Sequence, residues 1–143
     1  MLTHHDPFSR SVELLQDTLR SVLGEPMSSL EASRATGWVP PVDVYEDPER
    51  ITFKFEIPEV CKQDLSVRIE NGVLTVEGTR KLEFEELRAN YHRIERPFGR
   101  FARSFSLPTT VATEKIDAEL KDGILRLTLT KKPEAQSRTI EIK

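Results

Sequence analysis

Two short turns constrain this chain more than any other feature. Asn71-Gly72 and Asp122-Gly123 each stand between segments in which apolar and polar residues alternate. A two-residue connection of this kind marks a β-hairpin, because Asn, Asp and Gly accept the positive φ that a tight turn demands. Before the first turn, Leu65, Val67 and Ile69 alternate with Ser66, Arg68 and Glu70, and the return runs from Val73 to Gly78. Before the second, Ile116, Ala118 and Leu120 alternate with Asp117, Glu119 and Lys121, and Leu125, Leu127 and Leu129 form the return. Two more runs have the same period: Ile51, Phe53, Phe55 and Ile57, stopped by Pro58, and Phe101, Phe105 and Leu107, stopped by Pro108. Period two places alternate side chains on one face of a sheet. About seven such strands predict an all-β fold, an immunoglobulin-like antiparallel β-sandwich over residues 41–132. The likeness of the two hairpins is shared turn chemistry, since a solenoid needs roughly three or more stacked repeats.

The flanks read differently. Within residues 1–40, Val12, Leu15, Leu19 and Val22 recur at helical spacing, with Ser11 placed to start the helix and Gly24 and Pro26 to end it. Ser28 to Gly37 is small and polar. A lone helix of about 12 residues is marginal in water, so a mobile, partly helical N-terminal arm is expected, ordered by packing on its own domain or on a partner. At the other end Pro133 stops the last strand, and residues 133–143 form a short C-terminal extension ending in Ile140-Glu141-Ile142-Lys143. Ile140 and Ile142 point the same way in an extended chain.

Between the hairpins, Arg80 to Arg96 holds nine charges in seventeen residues. That is long for a loop in a compact domain, and its centre, Tyr91, His92, Arg93 and Ile94, is not turn chemistry. A short strand on such an arm can pair with a sheet edge on another chain. The composition agrees: 31% of residues are charged and only 37% hydrophobic. A charge-rich chain with so modest a core is either partly disordered or completes its core by assembling. Its net charge of -3 argues against general nucleic-acid binding. No apolar run approaches the ~20 residues of a transmembrane helix. The opening Met1-Leu2-Thr3-His4-His5 lacks a signal-peptide pattern, and the lone Cys61 cannot form an internal disulfide. A cytoplasmic location is the expectation.

The search for catalytic chemistry finds little. There is no phosphate-binding glycine loop, no Cys-x-x-Cys, no Gly-x-Ser-x-Gly and no His-Glu-x-x-His. His4, His5 and Asp6 have ligand-like spacing but no fixed geometry. His92 has no nucleophile placed by any motif to serve. Cys61 lies in a turn between Glu59 and Lys62, whose charges oppose one another's effect on a thiol. No enzyme activity, cofactor or metal is expected. Arg103 is more informative. It shares the parity of Phe101, Phe105 and Leu107 and so points to the apolar face. Two readings fit it: an arginine snorkelling at a sheet edge, or an ion pair at an interface between chains. The tail has a matching reading. Ile140 and Ile142 fit the addition of a peptide along a sheet edge, with Leu65, Val67, Ile69, Ile116, Ala118 and Leu120 as its pockets if their strands lie on opposite sheets at one edge. Otherwise these six residues are ordinary core.

Several stretches together carry a family resemblance. Tyr91-His92-Arg93-Ile94-Glu95-Arg96, Gly99 to Pro108, Ala118 to Leu125, Asp64-Leu65-Ser66-Val67, Asn71-Gly72-Val73-Leu74 and Ile140-Glu141-Ile142 resemble, in order, the bacterial and plant small heat-shock proteins of the alpha-crystallin family. The chain departs from the family's pattern at Thr130, where proline is common, and in having one residue after Ile142. The first 40 residues match only in being an amphipathic, variable arm. The resemblance implies an ATP-independent chaperone that holds unfolding proteins and works as a homo-oligomer built from dimers. It places Tyr91, His92, Arg93 and Ile94 on a loop exchanged between partners, Arg103 at the dimer interface, and the Ile140 and Ile142 side chains in the groove of the two apolar strands. Unfolding client proteins would meet Phe8, Val12, Leu15, Leu19 and Val22 of the arm. A self-assembling interaction module without client binding is the alternative.

Overall fold

The structure, a computed structural model, describes residues 38–135 and 139–143. Among these residues seven strands form two antiparallel sheets: β1 (Val42–Glu46), β2 (Arg50–Glu56), β3 (Leu65–Glu70), β4 (Val73–Arg80), β5 (Gly99–Ser106), β6 (Val111–Lys121) and β7 (Ile124–Lys131). One sheet has the order β1-β2-β7-β6 and the other β3-β4-β5. The all-β sandwich expected from the alternation is therefore present. Both Xaa-Gly turns sit where the alternation places them. Asn71 and Gly72 have φ of 51° and 73°, and Asp122 and Gly123 have 53° and 75°, the mirror-image turn that matches strand twist.

The core follows the parity of the strands. Ile51, Phe53 and Phe55 of β2, Leu125, Leu127 and Leu129 of β7, Leu74 and Val76 of β4, and Phe101 and Phe105 of β5 are all buried. Phe105 meets Phe53 at a centroid distance of 5.2 Å and Phe55 at 6.0 Å, which ties β5 to β2 across the two sheets. Trp38 packs edge-on against Phe101 at 4.8 Å, so the segment leading into β1 lies against β5. Gly78 is fixed by close approach: a Cβ there would stand 2.8 Å from the Asp64 carbonyl oxygen and 2.8 Å from the Phe101 ring.

Within the single chain Tyr91 to Ile94 is irregular and follows a short 3-10 segment at Glu85–Asn90; the pairing expected of it is with a sheet edge on another chain. An extended segment needs a ladder partner for its amides and carbonyls, and within a single chain this one has none of the sheet edges beside it. Arg80, read as the start of the charged arm, is instead the last residue of β4 and only 4% exposed. The expected N-terminal helix and the residues Phe8, Val12, Leu15, Leu19 and Val22 lie outside the described residues.

Candidate functional site

The features that sequence singled out occupy the rims of the sandwich rather than a cavity. β3 and β6 belong to different sheets and each is an edge strand. Leu65, Val67 and Ile69 on β3 and Ile116 and Leu120 on β6 are half-buried and pack against the core; Ala118 is exposed. Half-burial here is a consequence of position: an edge strand has a neighbour on one side only, so the outer flank of each apolar side chain stays open. Ile140 and Ile142 are 77% and 94% exposed, far above the usual state of isoleucine.

Arg103 sits at the opposite rim. It is half-buried, opposite Val76 in the β4–β5 register, and its face is the core face that parity indicates. Its Nη1 donates to the Pro40 carbonyl oxygen at 2.9 Å, and its guanidinium lies 5.2 Å from the centroid of the Phe105 ring. The side chain therefore links β5 to the lead-in of β1 within one chain. With β1 and β5 on this side, β3 and β6 are the edges of the other.

The loop between β4 and β5 is the third feature. Phe84 and Leu87 are 53% and 58% exposed, and the Tyr91 ring leans on Phe84 at 6.1 Å. The Tyr91 hydroxyl accepts the Phe84 N–H at 3.2 Å. His92 is exposed, and Arg93 pairs with Glu95 at 3.3 Å on the surface. Ile94 is 39% exposed. Tyr91, Arg93 and Ile94 share a shallow cleft of about 90 Å³ with Glu59, Arg80 and Arg96.

That cleft holds the residues that sequence reasoning missed. The Glu59 carboxylate receives Arg80 at 3.2 Å and Arg96 at 3.2 Å. Arg80, chiefly, and Arg96 hold its carboxyl below the usual carboxylate range. Nothing in an alternating pattern marks a buried arginine at a strand's last residue, and a glutamate after Pro58 reads as ordinary turn surface. No group of three or more His, Cys, Asp and Glu is arranged to hold a metal among the described residues. Cys61 is an exposed free thiol. No helix among the described residues is long and apolar enough to cross a membrane.

The sequence pattern of the Hsp20/alpha crystallin family matches residues 43–143. The chain belongs to that family. Its relatives include small heat shock protein C2 of Rickettsia felis, 35% identical over 73% of this chain and 68% of that protein. The 16.9 kDa class I heat shock protein 1 of Triticum aestivum is 36% identical over 96% of this chain and 89% of that protein. Among solved structures, a small heat-shock protein from Xylella fastidiosa superposes with a TM-score of 0.66 at 31% identity, covering 75% of this chain and 98% of that one. As a small heat shock protein, the chain carries an alpha-crystallin domain, and its family is one of stress chaperones rather than enzymes.

Proposed function

We propose that this protein is an ATP-independent holdase: it binds unfolding proteins, suppresses their aggregation under stress, and works as an exchanging oligomer of dimers. One observation carries the reading. In a member of a chaperone family, two edge strands of different sheets leave apolar rows half-open while Ile140 and Ile142 stand exposed. Each isoleucine contributes roughly 1.5–3 kcal/mol when buried, before ordering costs. A single tail contact is therefore weak and reversible, and several acting together give strong assembly that still exchanges.

In this reading the Ile140 and Ile142 side chains fill the rows Leu65, Val67, Ile69 and Ile116, Ala118, Leu120, linking dimers. Tyr91, His92, Arg93 and Ile94 find the ladder partner they lack at a sheet edge of a second copy, at the rim where β1 and β5 lie and Arg103 anchors Pro40. Residues 1–40 form the client-binding arm, 41–132 the alpha-crystallin domain and 133–143 the linking extension. Heat loosens the tail contacts first, because only two isoleucines hold each of them. Apolar surface then appears when clients begin to unfold. The free thiol at Cys61 is compatible with a cytoplasmic home.

The test is light scattering from a heated client at equal mass ratio without nucleotide. The chaperone reading predicts suppressed scattering. A folded, assembled protein that gives no protection would establish the alternative, a self-assembling interaction module.

A further inference from the structure

Glu59 is held in a conformation its residue type disfavours. The Val60 N–H donates to the Ile57 carbonyl oxygen at 3.3 Å, closing the turn Ile57-Pro58-Glu59-Val60. Proline at the second position and a φ of 60° at Glu59 in the third are the marks of a type II turn. That third position favours glycine, because a Cβ crowds the backbone when φ is positive. Among the described residues the other non-glycine residues with positive φ are Asn71 and Asp122, both in hairpin turns and both of types that tolerate it. Glu59 has no such excuse in its side-chain chemistry, and strain of this sort persists where surrounding contacts over-determine it.

Its contacts supply the reason. Glu59 Oε2 accepts from Arg80 Nη2 at 3.2 Å and from Arg96 Nη1 at 3.2 Å. Arg80 closes β4 and Arg96 stands three residues before β5 begins at Gly99, so the two guanidinium groups mark the two ends of the intervening loop. Arg80 also donates to the Pro97 carbonyl oxygen, which draws the ends together directly. Arg80 is buried and its Nε has no acceptor, so its charge relies on Glu59 and that carbonyl. One carboxylate, carried on a strained turn of the sandwich body, thereby closes the neck of the loop and ties it to the body.

We propose that Glu59 is a positioning residue for assembly: by clamping Arg80 and Arg96 it sets the direction in which the loop presents Tyr91 to Ile94 to a second copy of the chain. The proposal rests on the reading of that loop as the exchanged, dimerising segment. Without the clamp the neck opens, the segment samples many directions, and the partner's edge must select the right one, which lowers affinity by the fraction correctly presented. Glu59 and Arg96 are 54% and 60% exposed at their side chains, so dissolved salt reaches the clamp and weakens it.

The experiment reads the monomer fraction of the full chain by native mass spectrometry on dilution, across a series of salt concentrations. Three variants are compared with the natural chain: Glu59→Gln, Arg96→Gln, and a chain whose residues 83–95 are replaced by a short Gly-Ser linker. The natural dimer should weaken as salt rises. Glu59→Gln and Arg96→Gln should each weaken it by roughly tenfold at low salt and flatten the salt dependence. Arg96 is exposed, so its variant tests the clamp even if Glu59→Gln folds poorly. A monomeric linker chain together with Glu59 and Arg96 variants that dimerise as the natural chain does, with the same salt slope, overturns the clamp and leaves the loop reading standing. A linker chain that still dimerises overturns the loop reading, and the clamp falls with it.

Discussion

Arg103 Nη1 donates to the carbonyl oxygen of Pro40 at 2.9 Å, joining the edge strand of one sheet to the residues that lead into the edge strand of the other. The bond is charge-assisted, and the same guanidinium rests 5.2 Å from the Phe105 ring centroid. One side chain therefore fixes the spacing of β1 and β5 at the rim where a second chain is proposed to add.

Arg103→Ala removes both contacts. A hydrogen bond from a charged donor contributes about 1.5–3 kcal/mol, so the variant should lose about 2 kcal/mol in urea unfolding. Arg103→Lys keeps the charge but not the planar group, and should recover only part of that loss. Equal stability for all three chains would show that the Pro40 link does not hold the rim.

Gly78→Ala tests close packing at the β3–β4 hairpin. The added methyl would meet the Asp64 carbonyl oxygen and the Phe101 ring, each at 2.8 Å. Backbone and a buried ring cannot yield cheaply, and overpacking of this kind costs typically 1–3 kcal/mol. A thermal midpoint unchanged from the natural chain would mean that Phe101 repacks freely.

The strain at Glu59 separates from its ion pairs when two truncations are compared. Glu59→Ala loses the carboxylate and keeps a Cβ at φ 60°; Glu59→Gly loses the carboxylate and relaxes the turn. Glycine should therefore be the more stable of the two by about 1 kcal/mol, a reversal of the usual penalty for glycine. If alanine is the more stable, the turn is not strained.

Acid should weaken the fold through two carboxylates. Asp47 Oδ1 accepts the N–H of Glu49 at 2.8 Å and of Arg50 at 2.9 Å, and the Glu49 bond is the main cause that holds its carboxyl below the usual range. Glu59 is lowered by Arg80 and then Arg96. Both groups favour the charged form when folded. Their contribution is thus complete above the ordinary carboxylate range and is lost as pH falls through the lowered folded values. Urea midpoints should hold from neutral pH to about 5 and then fall, and an Asp47→Asn, Glu59→Gln chain should fall less. An acid slope identical in the double variant would place the sensitivity elsewhere.

The sandwich was legible because local and global signals agreed. Phe53 and Phe55 alternate with Thr52 and Lys54, and Asn71-Gly72 and Asp122-Gly123 can hardly be anything but turns. The Glu59 cleft was hidden for the converse reason. Arg80 is a charged residue at a buried strand end, and Glu59 is a non-glycine in a glycine's conformation, so both run against the pattern used to read them. Tyr91 to Ile94 was legible as something other than a turn; it is irregular in the single chain, and a strand there is proposed only against a sheet edge of a second copy. The β1 strand went unnamed because Val42 and Val44 are its only strong apolar signal before Asp47.

Surfaces left open on one chain are proposed to be completed by other copies. Native mass spectra of the natural chain and of the Ile140→Ala, Ile142→Ala variant, each at a low and a raised temperature, test it most directly. The natural chain should form large particles that shed dimers on warming, and the variant should stay near dimers at both temperatures. Particles of equal mass for the two chains, responding equally to heat, would contradict it.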